Sequence, residues 1–121
     1  MVARYLMGVD IGTYASKGVI TGPDGEVVDV QVRPHDLTIP RSGWAEHDAE
    51  AVWWGDFVAL SRALLAGSGV EPAQIAAVGC SAIGPDFLPV DAAVQPLRKG
   101  GILYCFDTRA TAEIAELEAR Y

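Results

Sequence analysis

Gly8-Val9-Asp10-Ile11-Gly12-Thr13-Tyr14-Ala15-Ser16-Lys17 is the stretch on which the reading of this chain turns. A strand over residues 4–10 runs into it, and a second apolar segment, residues 18–21, leads out. Gly-x-Asp-x-Gly-Thr between two strands is a way to hold phosphate. Gly12 lets the backbone bend and brings N–H groups close to anionic oxygens. Thr13 adds a hydroxyl and Lys17 a point charge able to reach a terminal phosphate. Asp10, at the strand end, could hold a magnesium ion directly or through its waters. The same residue types also make ordinary hairpin turns. Position favours the phosphate reading.

Outward from that turn, Pro23-Asp24-Gly25 marks a second tight connection. Residues 26–32 then alternate as a third strand, with Val28, Val30 and Val32 on one face and Val27, Asp29 and Gln31 on the other. The three segments predict an antiparallel meander. Residues 33–43 are irregular, punctuated by Pro34 and Pro40. Asp48 reads as an N-cap with Glu50 in the first helical turn. Trp53, Phe57, Leu60 and Leu64 form the buried stripe of a helix that runs to about Ala66 and ends at Gly67 and Gly69. The apolar run 75–80 predicts a parallel strand buried on both faces. Residues 87–90 and 102–106 read as further short strands. Asp107-Thr108 opens a last helix with the stripe Ala110, Ile114, Leu117 and Tyr121, and with Glu113, Glu116 and Glu118 on a solvated face. That helix has no C-cap glycine or following proline, so a fragment of a longer protein is expected. Such a fragment would expose part of Ile114 and Leu117 and self-associate.

The bulk properties narrow the function classes. A chain of 121 residues is one domain or part of one. A net charge of −7 argues against a nucleic-acid partner, which calls for clustered Lys and Arg. No apolar run reaches the roughly 20 residues of a membrane span. No secretory signal is visible. Cys80 and Cys105 lie in apolar runs and read as buried free thiols in a reducing cytoplasm. His47-Asp48 is too little for a metal site, and Trp44, Trp53, Glu46 and His47 read as core or helix lead-in residues. Asp107 and Arg109 are spaced for a local ion pair.

Three separated blocks now stand in order. They are Gly8-Val9-Asp10-Ile11-Gly12-Thr13 with Lys17; Gly43-Trp44-Ala45-Glu46-His47-Asp48 followed by Trp53-Trp54; and residues 75–109, with Val78-Gly79-Cys80-Ser81, Pro96-Leu97-Arg98, Ile102-Leu103-Tyr104 and Asp107-Thr108-Arg109. Together they resemble the N-terminal part of the FGGY family of carbohydrate kinases. The resemblance implies an α/β fold of the actin-like ATPase (ribonuclease H-like) group, present in part. An antiparallel three-strand meander would be continued by parallel strands with flanking helices, and residues 1–121 would form the first portion of domain I. It implies phosphoryl transfer from ATP with Mg2+ to a sugar or polyol hydroxyl, by positioning and charge neutralisation. On that carry-over Asp10 organises the metal, while Gly12, Thr13, Tyr14 and Lys17 face the nucleotide phosphates. Ser81, Ile83, Gly84, Asp86 and Asp107 would lie against the acceptor. The catalytic base would be an Asp beyond Tyr121, so no residue here takes that role. The Gln and His of a xylulose-type Gly-Gln-Met-His-Gly sugar loop are replaced by Ile83 and Pro85, which leaves the acceptor unspecified. A non-catalytic sugar- or partner-binding module of the same fold is the other reading.

Overall fold

A computed structural model describes residues 4–121. Strands β1 (Tyr5–Ile11), β2 (Ala15–Thr21) and β3 (Val27–Pro34) form the expected antiparallel meander. The connection from β2 to β3 closes through Gly25 N–H to the Gly22 carbonyl. A short strand β4 (Glu46–Asp48) then leads into helix, and β5 (Ile75–Ala82) returns parallel to β1. The sheet order is β3-β2-β1-β5. A strand β6 (Gly100–Ile102) pairs antiparallel with β4 as a separate ribbon.

Asp48 caps the helical segment as expected, its carboxylate accepting from the N–H groups of Glu50 and Ala51. The first turns, Ala49–Trp54, have π geometry, and the α-helix proper, α1, spans Gly55–Ser68. Gly69 ends it in the left-handed region at φ 67°, where a residue without Cβ is unstrained. The apolar stripe of α1 lies on the face of the sheet that carries Met7, Val9, Ile11 and Ile20. Met7, Ile20, Leu64 and Val70 form one buried cluster, and Val9, Ile11, Val52 and Leu60 form the next, against Trp53 and Phe57. Ile20 and Leu64 are both fully buried. Each contributes roughly 1.5–3 kcal/mol from leaving water.

Several expectations from the sequence are corrected. Strand β5 is parallel to β1, yet residues 76–82 are exposed, because α1 packs over β1, β2 and β3 rather than over β5. On β3, Val28, Val30 and Val32 face solvent, while Asp29 and Gln31 are the half-buried side. The polar side chains bond to each other, Gln31 Nε2–H to Asp29, beneath Gly67 of α1. Residues 87–90 and 102–106 are not strands. Phe87 and Val90 make isolated bridges to Ile102 and Pro96, and only Gly100–Ile102 is regular. The last helix, α2, begins later than expected, at Thr111, and runs to Glu118 with every residue exposed. Ile114 and Leu117 are accordingly open to solvent. Cys80 and Cys105 are free but exposed, the first on the open strand β5 and the second in the loop after β6. Glu46 and His47 belong to β4 rather than to the helix start, and both are buried.

Candidate active site

The turn over residues 12–14 closes β1 onto β2, with Gly12 N–H donating to the Ala15 carbonyl at 3.1 Å. A Cβ on residue 12 would stand 2.7 Å from that same carbonyl oxygen, so only glycine fits. The sheet register then aligns the charged groups. Asp10 lies opposite Lys17 on β2 and opposite Ser81 on β5. Cross-strand partners share a face, so Lys17, Asp10 and Ser81 form one row across three strands. All three are exposed, on the face away from α1. Ser81 Oγ–H donates to Asp10 Oδ1 at 2.6 Å, which orients the carboxylate. One row further down, Gly8 pairs with Gly79, leaving a shallow floor beside the carboxylate.

Behind the turn lies a polar cluster that the sequence did not disclose. Asp56, at the start of α1 and only 2% exposed, accepts from Ser16 Oγ–H at 2.8 Å, Arg33 Nε–H at 2.6 Å and His35 Nδ1–H at 2.8 Å. His35 Nε2–H donates to the Gly12 carbonyl at 3.0 Å. The His35 ring thus bridges the Asp56 carboxylate and the turn. His47 Nε2–H donates to the Thr13 carbonyl at 2.9 Å, and its Nδ1 accepts from Trp53 Nε1–H at 3.3 Å. That pattern makes His47 the neutral Nε2–H tautomer. Burial lowers the His47 pKa and the neighbouring His35 lowers it further, against the Thr13 hydrogen bond, which raises it. The two rings meet edge to face with centroids 4.9 Å apart.

The acceptor-side residues fall into two groups. Ser81, Ile83, Gly84 and Asp86 follow one another out of β5, and Ile83 N–H donates to the Ile11 carbonyl. Asp86 Oδ1 accepts from Tyr104 N–H at 2.8 Å, tying this loop to the one after β6. A cleft of about 310 Å³ opens here between Ile11, Trp53, Cys80, Ala82, Ile83 and Asp86. Tyr14 reaches across the turn 12–14 to meet Phe106 edge-on, centroids 6.4 Å apart. Asp107 stands apart from this group. One oxygen accepts from Ala45 N–H at 2.8 Å, and both accept from the Arg109 guanidinium. The expected Asp107–Arg109 ion pair is thus present, extended by Arg109 and Arg98 to the buried Glu46. Trp44 lies under the guanidinium groups of Arg41, Arg98 and Arg109, the last 3.9 Å from its ring centre.

The Arg109 guanidinium holds the Asp107 carboxyl well below the ordinary carboxylate value of 3.8. A depressed folded pKa means the stabilisation is complete above the unfolded value of about 3.9 and fades as pH falls below it. Asp107→Asn is therefore expected to flatten the acid limb of stability below about pH 4. Urea midpoints of wild type and variant, measured at about pH 6 and about pH 3, should differ more at the first than at the second, and converge only as pH falls through the depressed folded value. An unchanged acid limb in the variant would remove this network from the account.

Comparison with known proteins agrees with the fold. Residues 5–121 match the model of the FGGY family of carbohydrate kinases, N-terminal domain. The chain belongs to that family. Glycerol kinase of Thermococcus onnurineus (strain NA1) is 30% identical over 113 residues, covering 93% of this chain and 22% of that protein. The crystal structure of xylulose kinase from Rhodospirillum rubrum superimposes with a TM-score of 0.86 at 28% identity, over 98% of this chain and 24% of the other. Plasmodium falciparum glycerol kinase with ADP gives a TM-score of 0.82 at 20% identity over 98% of this chain, a likeness of fold, and again over 24% of its own length. The chain thus spans about a quarter or less of the length of these relatives, 22% and 24%. Its sheet with flanking helices is part of their actin-like α/β domain. Among the described residues no helix is long and apolar enough to cross a membrane.

Proposed function

We propose that this chain is the first portion of domain I of an ATP-dependent kinase that phosphorylates a hydroxyl of a sugar or polyol. The observation that carries the reading is the row Lys17–Asp10–Ser81 beside the glycine turn 12–14. It places a cation, an oriented carboxylate and backbone N–H groups together at the end of β1. Gly12, Thr13, Tyr14 and Lys17 would receive the nucleotide phosphates. Asp10 offers one oxygen beyond the one that Ser81 holds. Among the described residues no group of three or more His, Cys, Asp or Glu side chains could hold a metal. A lone carboxylate fits magnesium, which keeps its waters and takes its other ligands from substrate phosphates. Bound there, the ion would neutralise charge developing on the phosphate oxygens.

Ser81, Ile83, Gly84 and Asp86 supply the acceptor side. The cleft of about 310 Å³ suits a small polyhydroxy molecule, with Asp86 as acceptor for its hydroxyls and Trp53 as an apolar wall. Asp107 sits behind this loop and contributes by holding Arg109 and the Ala45 amide. No residue of this chain is assigned as the base. The negative balance of −7 fits a small-molecule kinase with no nucleic-acid partner. The compartment we assign is the cytoplasm, where exposed thiols such as Cys80 and Cys105 stay reduced.

The test is a phosphorylation screen on the protein encoded by the complete reading frame. It uses MgATP with pentoses, pentuloses, hexonates and polyols, and reads ADP release. Release that depends on one acceptor is expected. Release with none of them, together with sugar binding measured directly, would replace the kinase by a binding module on the same fold.

A further inference from the structure

The two histidines behind the phosphate turn have no part in the reading above, and neither reaches its open side. His47 is fully buried and the His35 side chain is 8% exposed. What they hold is two consecutive carbonyls, those of Gly12 and Thr13. A peptide group is planar and trans, so its N–H points opposite to its C=O. With the Gly12 carbonyl drawn to His35, the N–H of Thr13 points the other way. With the Thr13 carbonyl drawn to His47, so does the N–H of Tyr14. The two rings meet edge to face, so both carbonyls are held by one packed pair. Two successive N–H groups turned outward make an anion-binding concavity.

Each ring is also held by a second bond. The Trp53 indole N–H occupies Nδ1 of His47 and forces the proton onto Nε2. Asp56 of α1 faces His35 Nδ1, with Ser16 of β2, Arg33 of β3 and His47 of β4 around the same carboxylate and ring. Neither ring can turn to offer a lone pair to the turn without losing a buried bond.

We infer that His35 and His47 are positioning residues of the phosphoryl-transfer site, which aim the Thr13 and Tyr14 amides at the transferring phosphate. The inference rests on the kinase reading. Its test uses two pairs of variants in the complete protein, His35→Gln with His35→Phe and His47→Gln with His47→Phe. A glutamine amide can place an N–H where Nε2–H stood, and phenylalanine cannot. The phenylalanine variants are expected to lose about 10²-fold in kcat per folded molecule, the scale for a misplaced oxyanion donor. The acceptor KM should stay within about twofold, and glutamine should recover most of the rate. Equal kcat per folded molecule across all four variants would overturn the inference.

Should the phenylalanine variants not fold, nitrogen NMR of the wild-type imidazoles decides. A proton is expected on Nε2 of each ring, where it meets the turn carbonyl, and a bare Nε2 on either ring would overturn the inference. If the wild type turns over no acceptor, the kinase reading fails by itself. The histidines are then judged by calorimetric binding of MgATP, weakened by phenylalanine and restored by glutamine; equal affinities, or no binding by wild type, would dispose of the inference.

Discussion

Asp10→Ala in the complete protein is expected to reduce kcat by about 10³-fold, the upper range for removing one group that stabilises transition-state charge. The same change should leave the fold within about 0.5 kcal/mol of wild type, as for most exposed positions. Asp10 is exposed, points away from α1, and among the described residues its side chain's one hydrogen bond is from the Ser81 hydroxyl, which can turn to water. Nothing in the packing depends on it. Its value lies in being a fixed negative group beside Lys17 and the glycine turn. Asp10→Asn is the sharper probe, because the amide oxygen still accepts from Ser81 while the charge is gone. It should lose nearly as much rate as alanine. A kcat for Asp10→Asn within about threefold of wild type would mean that the carboxylate charge has no part in phosphate or metal handling.

The contrast between Asp10 and the groups behind it shows what could be read from the sequence and what could not. The turn 8–17, the meander, the Asp48 cap and the stop at Gly69 are local matters, set by residues within a few positions of one another, and the structure has them as expected. Burial is not local. The run 75–80 is apolar enough for an interior strand, yet its exposure is decided by what packs over its faces, and α1 lies over β1, β2 and β3 instead. The valines of β3 alternate well for a buried face, but α1 packs over the opposite one. The polar cluster was hidden for the same reason. Asp56 meets Ser16 across 40 positions and His35 across 21. One signal was available. Asp56 falls between Trp53 and Leu60 at helical spacing, so a carboxylate sat on the stripe already assigned to the core. A charged residue there needs a partner, and a search for one would have turned to the His, Ser and Arg near the phosphate turn. His47 was noticed as a residue but placed at a helix start. Its burial in β4 and its bond to Thr13 depend on the pairing with β6, which no spacing rule announces.

Asp56→Leu carries the largest expected loss of stability, about 3–5 kcal/mol, the range for breaking a buried charged network by removing one partner. Leucine keeps the branched shape and the heavy-atom count, so the main loss comes from the donors left behind. Arg33 is half-exposed and returns to water at little cost. The Ser16 hydroxyl is fully buried, and the His35 ring, whose Nδ1 faced the carboxylate, is nearly so. These two have nowhere to turn. Asp56→Asn should fall between, since one oxygen still accepts while the amide N–H2 is set against a donor. Urea midpoints and slopes of the three proteins give the comparison. A loss below about 1 kcal/mol for Asp56→Leu would show that the cluster is solvated in solution and does not brace the turn. The rate separates the two roles of the same carboxylate. Freed from Asp56, His35 no longer holds the Gly12 carbonyl in one direction, so Asp56→Asn should lose kcat per folded molecule as well as stability. Asp10→Asn should lose the rate alone. Carboxylates on opposite faces of one sheet would then fail in opposite ways, the outer through chemistry, the inner through the backbone it holds in place.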